Sequence, residues 1–282
     1  ARCICGTIVP YSWEDTGPAA RCRGTRPDRP YTQLGNQEAL VSLLKGAGYD
    51  VNYTSEVSEQ EWVNYPLIIA FKDEEYVRIK EMNLQNNLLS VNELMGDICL
   101  LPSRGRWTNN VNDNEKKSIL IWVNEFHPVL RVLALLKGYS TWSTASVVDL
   151  KLRDFTRVVQ TFQAQLCQTS EVMEHASKAD LIISDGLFAA QAVLNYKPVI
   201  IVDSYGWNGL VTDATFMSQY VAGFTAKPVQ SDRGYFPLYD LSIAINRAFE
   251  MEQSELKSCS NKLLQENEHM CEKILRVVSS RC

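Results

Sequence analysis

Apolar residues in this chain fall into short runs, and the runs alternate with stretches whose apolar spacing is helical. The clearest instance is 179–203. An apolar run over 181–183 ends at Ser184-Asp185-Gly186, a small-residue helix is predicted over 189–194, and Lys197-Pro198 opens a second apolar run over 199–202. Runs without a polar face mark strands buried on both sides, as in a parallel sheet with a crossover helix. The same rhythm begins with a strand over 3–9, rich in β-branched Ile4, Thr7, Ile8 and Val9. A polar, Pro- and Gly-bearing loop over 10–35 follows, then a helix over 36–45 capped by Asn36 and stopped by Gly46 and Gly48. Strands are expected over 49–53, 66–71 and 97–101, with a helix over 73–82. Beyond the polar stretch 103–117 come a strand over 118–123 and a helix over 129–137 stopped by Gly138. A strand or loop over 139–148 and helical spacing over 150–168 come next. From 239 to the end the pattern is mostly helix, its last part charged and able to cross back over the other half of the chain.

Alternating strands and helices in both halves predict α/β architecture with parallel sheets. The stretch 103–117 is the expected boundary, dividing the chain into domains 1–110 and 111–282 with a cleft between them. Ligands of parallel sheets bind outside the carboxyl ends of the strands. Ser184-Asp185-Gly186 and 203–209 therefore stand where a ligand is expected.

Composition narrows the picture. The 282 residues are 45% apolar, enough for a substantial core. A net charge of −5 argues against non-specific nucleic-acid binding. No apolar run approaches the roughly 20 residues of a membrane span. The first ten residues lack signal-peptide order, so the expected location is cytoplasmic, with removal of a preceding segment left open because the sequence starts at Ala1. The eight cysteines include no Cys-x-x-Cys pair, which argues against a zinc site; reduced thiols are expected ahead of disulfides, with Cys99 and Cys167 as small apolar residues. Asn52-Tyr53-Thr54 fits a glycosylation triplet, a pattern frequent by chance.

On Ser184, Asp185, Gly186, Ala189, Ala192, Lys197, Pro198 and Val199, the segment of about 177–224 resembles the donor-binding half of GT-B glycosyltransferases. The run Gly206-Trp207-Asn208-Gly209-Leu210-Val211-Thr212 is similar to a Gly-rich run of some bacterial members. The resemblance implies two Rossmann-like domains, the first on the acceptor side and the second, with the long C-terminal helix, on the nucleotide-sugar side. It implies transfer of a sugar from a nucleotide-sugar to a carbohydrate-containing acceptor, without a metal or other cofactor. Ser184, Asp185, Gly186, Gln191, Gly206 and Gly209 then form the donor site. The chain departs from the family at Gln191, where a Glu that contacts ribose hydroxyls usually stands; Gln still hydrogen-bonds a hydroxyl but carries no charge. A non-catalytic nucleotide- or sugar-binding protein on the same fold is the alternative. The oligomeric state is left open.

Without a metal, diphosphate must be held by helix N-terminal amides and by Arg or Lys. The turns at Gly186 and at 206–209 offer such amides, or are plain tight turns. Asp15 or Glu14, after the first strand, suits a base that deprotonates the acceptor, unless it is a solvated loop carboxylate. His127, beside Glu125 after a strand, is either a base or phosphate contact or a cap of the helix at Pro128. Arg21, Arg23, Arg26 and Arg29 form a basic loop suited to an anionic acceptor or diphosphate. Tyr205 and Trp207 either stack on a base or sugar or pack in the core or at its rim. His175 and His269 read as surface residues.

Overall fold

The apolar runs 119–121, 181–183 and 199–202 have no polar face, and this dictates how they are buried. The computed structural model describes residues 2–5, 30–53, 65–71, 73–82, 87–96, 98, 100–101, 107, 116–123, 126–139, 143–148, 159–203, 206–226 and 238–281. The chain divides into two compact units, Ala1–Gly96 with Glu268–Cys282, and Asp97–Asn267. The sequence pattern placed its boundary at 110/111 and kept the C-terminus with the second half.

The first unit holds a four-stranded sheet in the order β2-β1-β3-β4, from β1 (Arg2–Cys5), β2 (Asp50–Tyr53), β3 (Leu67–Ala70) and β4 (Asn87–Ser90), each pair parallel. Helices α1 (Pro30–Gly46) and α2 (Asp73–Glu81) connect its strands. Helix α1 starts at Pro30, not Asn36. Pro at a first helical position has its φ preset and loses no needed donor. One interior Gly35 costs only about 1 kcal/mol, which burial of Ala39, Leu40 and Leu44 outweighs. No strand forms at the described residues 98, 100 and 101. The strand lies earlier, at β4, because Ser90 ends it with a capping box. The Glu93 amide donates to Ser90 Oγ (3.0 Å), the Ser90 amide donates to Glu93 Oε2 (2.9 Å), and α3 (Val91–Met95) begins.

The second unit holds a six-stranded sheet in the order β10-β9-β8-β5-β6-β7. Strands β5 (Lys117–Trp122), β6 (Ser143–Val148), β7 (Gln165–Cys167), β8 (Leu181–Ser184) and β9 (Val199–Asp203) are parallel, and only β10 (Gly206–Leu210) runs antiparallel, beside β9. Strand β7 corrects the helical reading of 150–168 over its described part. Gln163, at φ 56, interrupts the helix before 165–167 joins β6.

Side chains alternate across this sheet as the pleat requires. Ile119, Ile121, Leu181, Ile183, Ile200 and Val202 face one core, shared with Val132, Leu133 and Leu136 of α4 (Phe126–Leu136) and Leu241 and Ile245 of α8 (Leu238–Phe249). Leu120, Ile182, Val199 and Ile201 face the other. That face is covered by α5 (Val172–Lys178), α6 (Gly186–Leu194), α7 (Phe216–Val221) and the first part of α9 (Gln253–Arg281). Ala189, Ala190 and Ala192 are fully buried, and their small side chains let α6 approach the sheet closely. The Lys197 ammonium donates to the carbonyls of Ser177 (2.7 Å) and Ala179 (2.9 Å), satisfying the end of α5. Desolvation lowers its pKa, and the Asp180 charge works in the opposite direction.

Residues 268–281 of α9 belong to the first unit, where Ile274 and Val278 are fully buried and the hydroxyls of Tyr49 and Ser279 share a 2.7 Å hydrogen bond. No disulfide joins Cys167, Cys259 or Cys271, and Cys167 and Cys259 are buried. Among the described residues no helix is long and apolar enough to cross a membrane.

Candidate functional site

Strand order in the second unit fixes where a site can lie. From β5 the chain moves to β6 and β7 on one side, then returns to β8 and β9 on the other. Connections therefore leave β5 and β8 in opposite directions, which makes their carboxyl ends the switch point where open α/β sheets bind ligands. Three of the predicted residues stand there, and the backbone of a fourth follows the neighbouring strand. Ser184 ends β8, Asp185 precedes α6, Gly186 starts α6, and His127 stands in the first turn of α4, which follows β5.

Each has a definite setting. Ser184 is 1% exposed, and its hydroxyl donates to the Trp122 carbonyl at 2.6 Å, joining the ends of β8 and β5. That hydroxyl is thus engaged within the fold. Asp185 is buried at 8% exposure and extended (φ −141°, ψ 171°); its side chain does not cap α6. Gly186 adopts φ +57°, a conformation that costs a residue with a Cβ about 1–2 kcal/mol. Its amide donates to the Phe224 carbonyl at 2.9 Å. The amides of Leu187 and Phe188 follow it and have no acceptor within the helix. Gln191 is half-buried in the second turn of α6. Phe188 lies 4.3 Å from Trp122 and 5.6 Å from Trp107, ring centre to ring centre, so the first turn of α6 carries an aromatic cluster.

The Gly-rich run is the main departure from expectation. Gly206 and Gly209 belong to edge strand β10, not to a turn beside a helix. Pairing with β9 is irregular between Trp207 and Gly209, where Gly209 takes φ +81°. The fully buried Gln219 of α7 donates from Nε2 to the Asn208 carbonyl at 2.8 Å, and more loosely to those of Gly209 (3.4 Å) and Leu210 (3.3 Å). Thr215 Oγ1 donates to the Leu210 carbonyl at 2.8 Å, and Asn208 Nδ2 to the Thr225 carbonyl at 2.7 Å. Polar side chains thus occupy an edge that would otherwise template pairing. Trp207 is partly buried and packs against the core that includes Leu241 and Ile245 of α8, which is the packing alternative.

One element escaped the sequence reading. Residues 224–226 are strapped over the ends of β8 and β9. The Gly186 amide donates to the Phe224 carbonyl, and the Ala226 amide donates to Oδ2 of Asp203 at 2.8 Å. Asp203 is fully buried. Its place after an apolar run was visible in sequence; its partner, 23 residues away, was not. Glu14, Asp15, Arg21, Arg23, Arg26, Arg29 and Tyr205 lie outside the described residues, as does the His127 side chain.

No protein-family model and no curated protein matches the sequence. Two solved structures are similar in fold. AviGT4, a glycosyltransferase involved in avilamycin A biosynthesis, matches with a TM-score of 0.50 and 11% identity over 99% of this chain and 98% of its own. The spinosyn rhamnosyltransferase SpnG, solved with spinosyn aglycone, matches with a TM-score of 0.47 and 10% identity over 99% and 100%. The chain has an α/β fold of the GT-B kind, with a parallel sheet in the first unit, a largely parallel one in the second and a long C-terminal helix.

Proposed function

We propose that the protein is a glycosyltransferase that binds a nucleotide-sugar at the β5/β8 switch point and passes the sugar to a carbohydrate-containing acceptor. The observation that carries this reading is the juxtaposition of Asp185, the first turn of α6 and the first turn of α4 at that point. In the proposal, the Leu187 and Phe188 amides receive phosphate oxygens. Asp185 and Gln191 hydrogen-bond hydroxyls of ribose or sugar. His127 contacts phosphate or serves as a base, and Asp15 or Glu14 takes the acceptor proton as charge develops on its oxygen. The arginines at 21, 23, 26 and 29 meet diphosphate or an anionic acceptor. The reading needs no metal at the reacting centre. Similarity to glycosyltransferases supports it at the level of fold.

A second reading, a non-catalytic nucleotide- or sugar-binding protein, is favoured by two observations. The Ser184 hydroxyl and the carbonyls of 208–210 are used internally, and the uncharged Gln191 stands where the resemblance implies a Glu. Thermal unfolding with UDP, GDP, ADP or CMP, and with their sugars, tests both. One nucleotide at 100 times its dissociation constant stabilises by about 2.7 kcal/mol. Asp185→Asn and Gln191→Ala should weaken that stabilisation. Release of nucleoside diphosphate from the matching nucleotide-sugar marks an enzyme; stabilisation without release marks a binder. No shift with any nucleotide overturns both readings.

A further inference from the structure

A second cluster of chemically capable side chains lies at the β7 edge of the same sheet, also at the carboxyl ends of its strands. Cys167 ends β7, Glu171 ends the 3₁₀ turn Thr169–Glu171, and His175 lies one turn further along in α5. Glu171, the N-cap of α5, and His175 are four residues apart and so share a face of that helix, and the chain leaving β7 brings Cys167 to them. Their thiol sulfur, carboxylate oxygen and imidazole nitrogen all lie within 4.8 Å of one another. Cys167 is fully buried, His175 half-buried and Glu171 exposed. His175 is thus not the isolated surface residue that its polar neighbours suggested.

We propose that Cys167, Glu171 and His175 bind a zinc ion, with water as fourth ligand. Thiolate and imidazole select a borderline-soft transition metal over magnesium or calcium. Ligand atoms in tetrahedral zinc sites are separated by about 3.3–3.8 Å, given bonds of 2.0–2.3 Å. Closing the cluster therefore shortens any pair of ligand atoms by at most about 1.5 Å. Glu171 Oε2 accepts a hydrogen bond from the Gln168 amide at 3.2 Å, which fixes the carboxylate and leaves Oε1 to the metal. Cys167 S–H points at the Gln168 carbonyl at 3.3 Å. On binding, the S–H bond breaks, the S–Zn bond forms and the proton leaves to solvent; nothing is oxidised or reduced. The exposed Glu171 side leaves a path for entry.

Strand β7 stands two positions from β5 and three from β8 in the sheet, about 10 and 14 Å at the usual strand spacing. The ion would fasten the edge strand to α5, and none of its ligands is among the residues of the transfer proposed above. The inference is independent of that reading.

The test is a cobalt(II) titration of the chelator-treated full chain under a phosphine reductant. The expected result is a thiolate-to-cobalt charge-transfer band that saturates, is displaced by zinc, and disappears in Cys167→Ser. Affinity should fall at least about tenfold in His175→Gln and in Glu171→Gln. Circular dichroism checks that each variant is folded. If Cys167→Ser does not fold, the two other variants decide the matter. The absence of the band at a tenfold excess of cobalt overturns the proposal. So does a band that persists in folded Cys167→Ser, or undiminished affinity in both His175→Gln and Glu171→Gln.

Discussion

Gln219→Leu tests whether the Gly-rich run 206–210 is held as an edge strand by its neighbour. Gln219 is fully buried and donates to the Asn208 carbonyl at 2.8 Å; its Oε1 lies 3.2 Å from Thr215 Oγ1, whose one proton has a nearer acceptor in the Leu210 carbonyl at 2.8 Å. Losing the amide bond costs about 1 kcal/mol, and leaving the part-buried Asn208 carbonyl without that donor adds about 1–3 kcal/mol. Leucine's apolar burial returns about 1 kcal/mol. The net loss is about 1–3 kcal/mol, and at 2–4 °C per kcal/mol the unfolding midpoint should fall by about 2–12 °C. Thermal unfolding followed by circular dichroism reads this directly. A double-mutant cycle with Thr215→Val should show coupling of about 0.5 kcal/mol or more, since Thr215 Oγ1 lies within hydrogen-bond reach of both Gln219 Oε1 and the Leu210 carbonyl. A fall below about 1 °C, with no coupling, would refute the clamp and return 206–209 to consideration as a ligand-binding turn.

Three further outcomes are expected. Gly186→Ala should destabilise by about 1 kcal/mol in urea unfolding, because the penalty of about 1–2 kcal/mol at φ +57° exceeds the entropic gain of about 0.4–1 kcal/mol; unchanged stability would contradict that backbone. The thiols of Cys167 and Cys259 are pushed up to about 11, chiefly by burial and further by nearby carboxylates. At pH 7.5, with no metal added, both should resist iodoacetamide in the native protein and react fully in guanidinium, as mass spectrometry of the peptides will show. Rapid native labelling of either would disprove its burial. Lys197 has a folded pKa below its unfolded value, so the unfolded chain binds more protons between the two. Its contribution should make stability rise with pH in the window below about 10.5, and Lys197→Met should flatten that slope. The same variant should lose about 1–3 kcal/mol at pH 7, by leaving the Ser177 and Ala179 carbonyls without their donor. A slope unaltered in Lys197→Met would assign it to another group.

Much of the fold was legible because its strands are buried on both faces. The runs 181–183 and 199–202 carry no polar alternation, and the structure places them as central strands whose side chains divide between two cores. Short strands with mixed composition were not legible. Strand β7 has only Gln165, Leu166 and Cys167, and pairing with β6 decides its state rather than its own propensity. Strand β4 and α3 carried a readable Ser-x-x-Glu signal, overshadowed by the more apolar stretch after Asp97. At the candidate site, Ser184, Asp185 and Gly186 were legible from the turn that ends a buried strand. The hydrogen bonds from Ser184 to Trp122 and from Ala226 to Asp203 join residues 62 and 23 positions apart, beyond the range of any local pattern.

The sequence by itself determined the α/β class, the central parallel strands, the small-residue helix and the residues at its start. Hydrophobic periodicity and turn chemistry act over a few residues, and these features are of that range. Only the tertiary structure decided the strand order that puts β5 next to β8, the use of Gly206–Leu210 as a clamped edge, and the meeting of Cys167, Glu171 and His175. Strand order and side-chain meetings are set by which surfaces pack together, and packing joins residues whose separation along the chain carries no periodic signal.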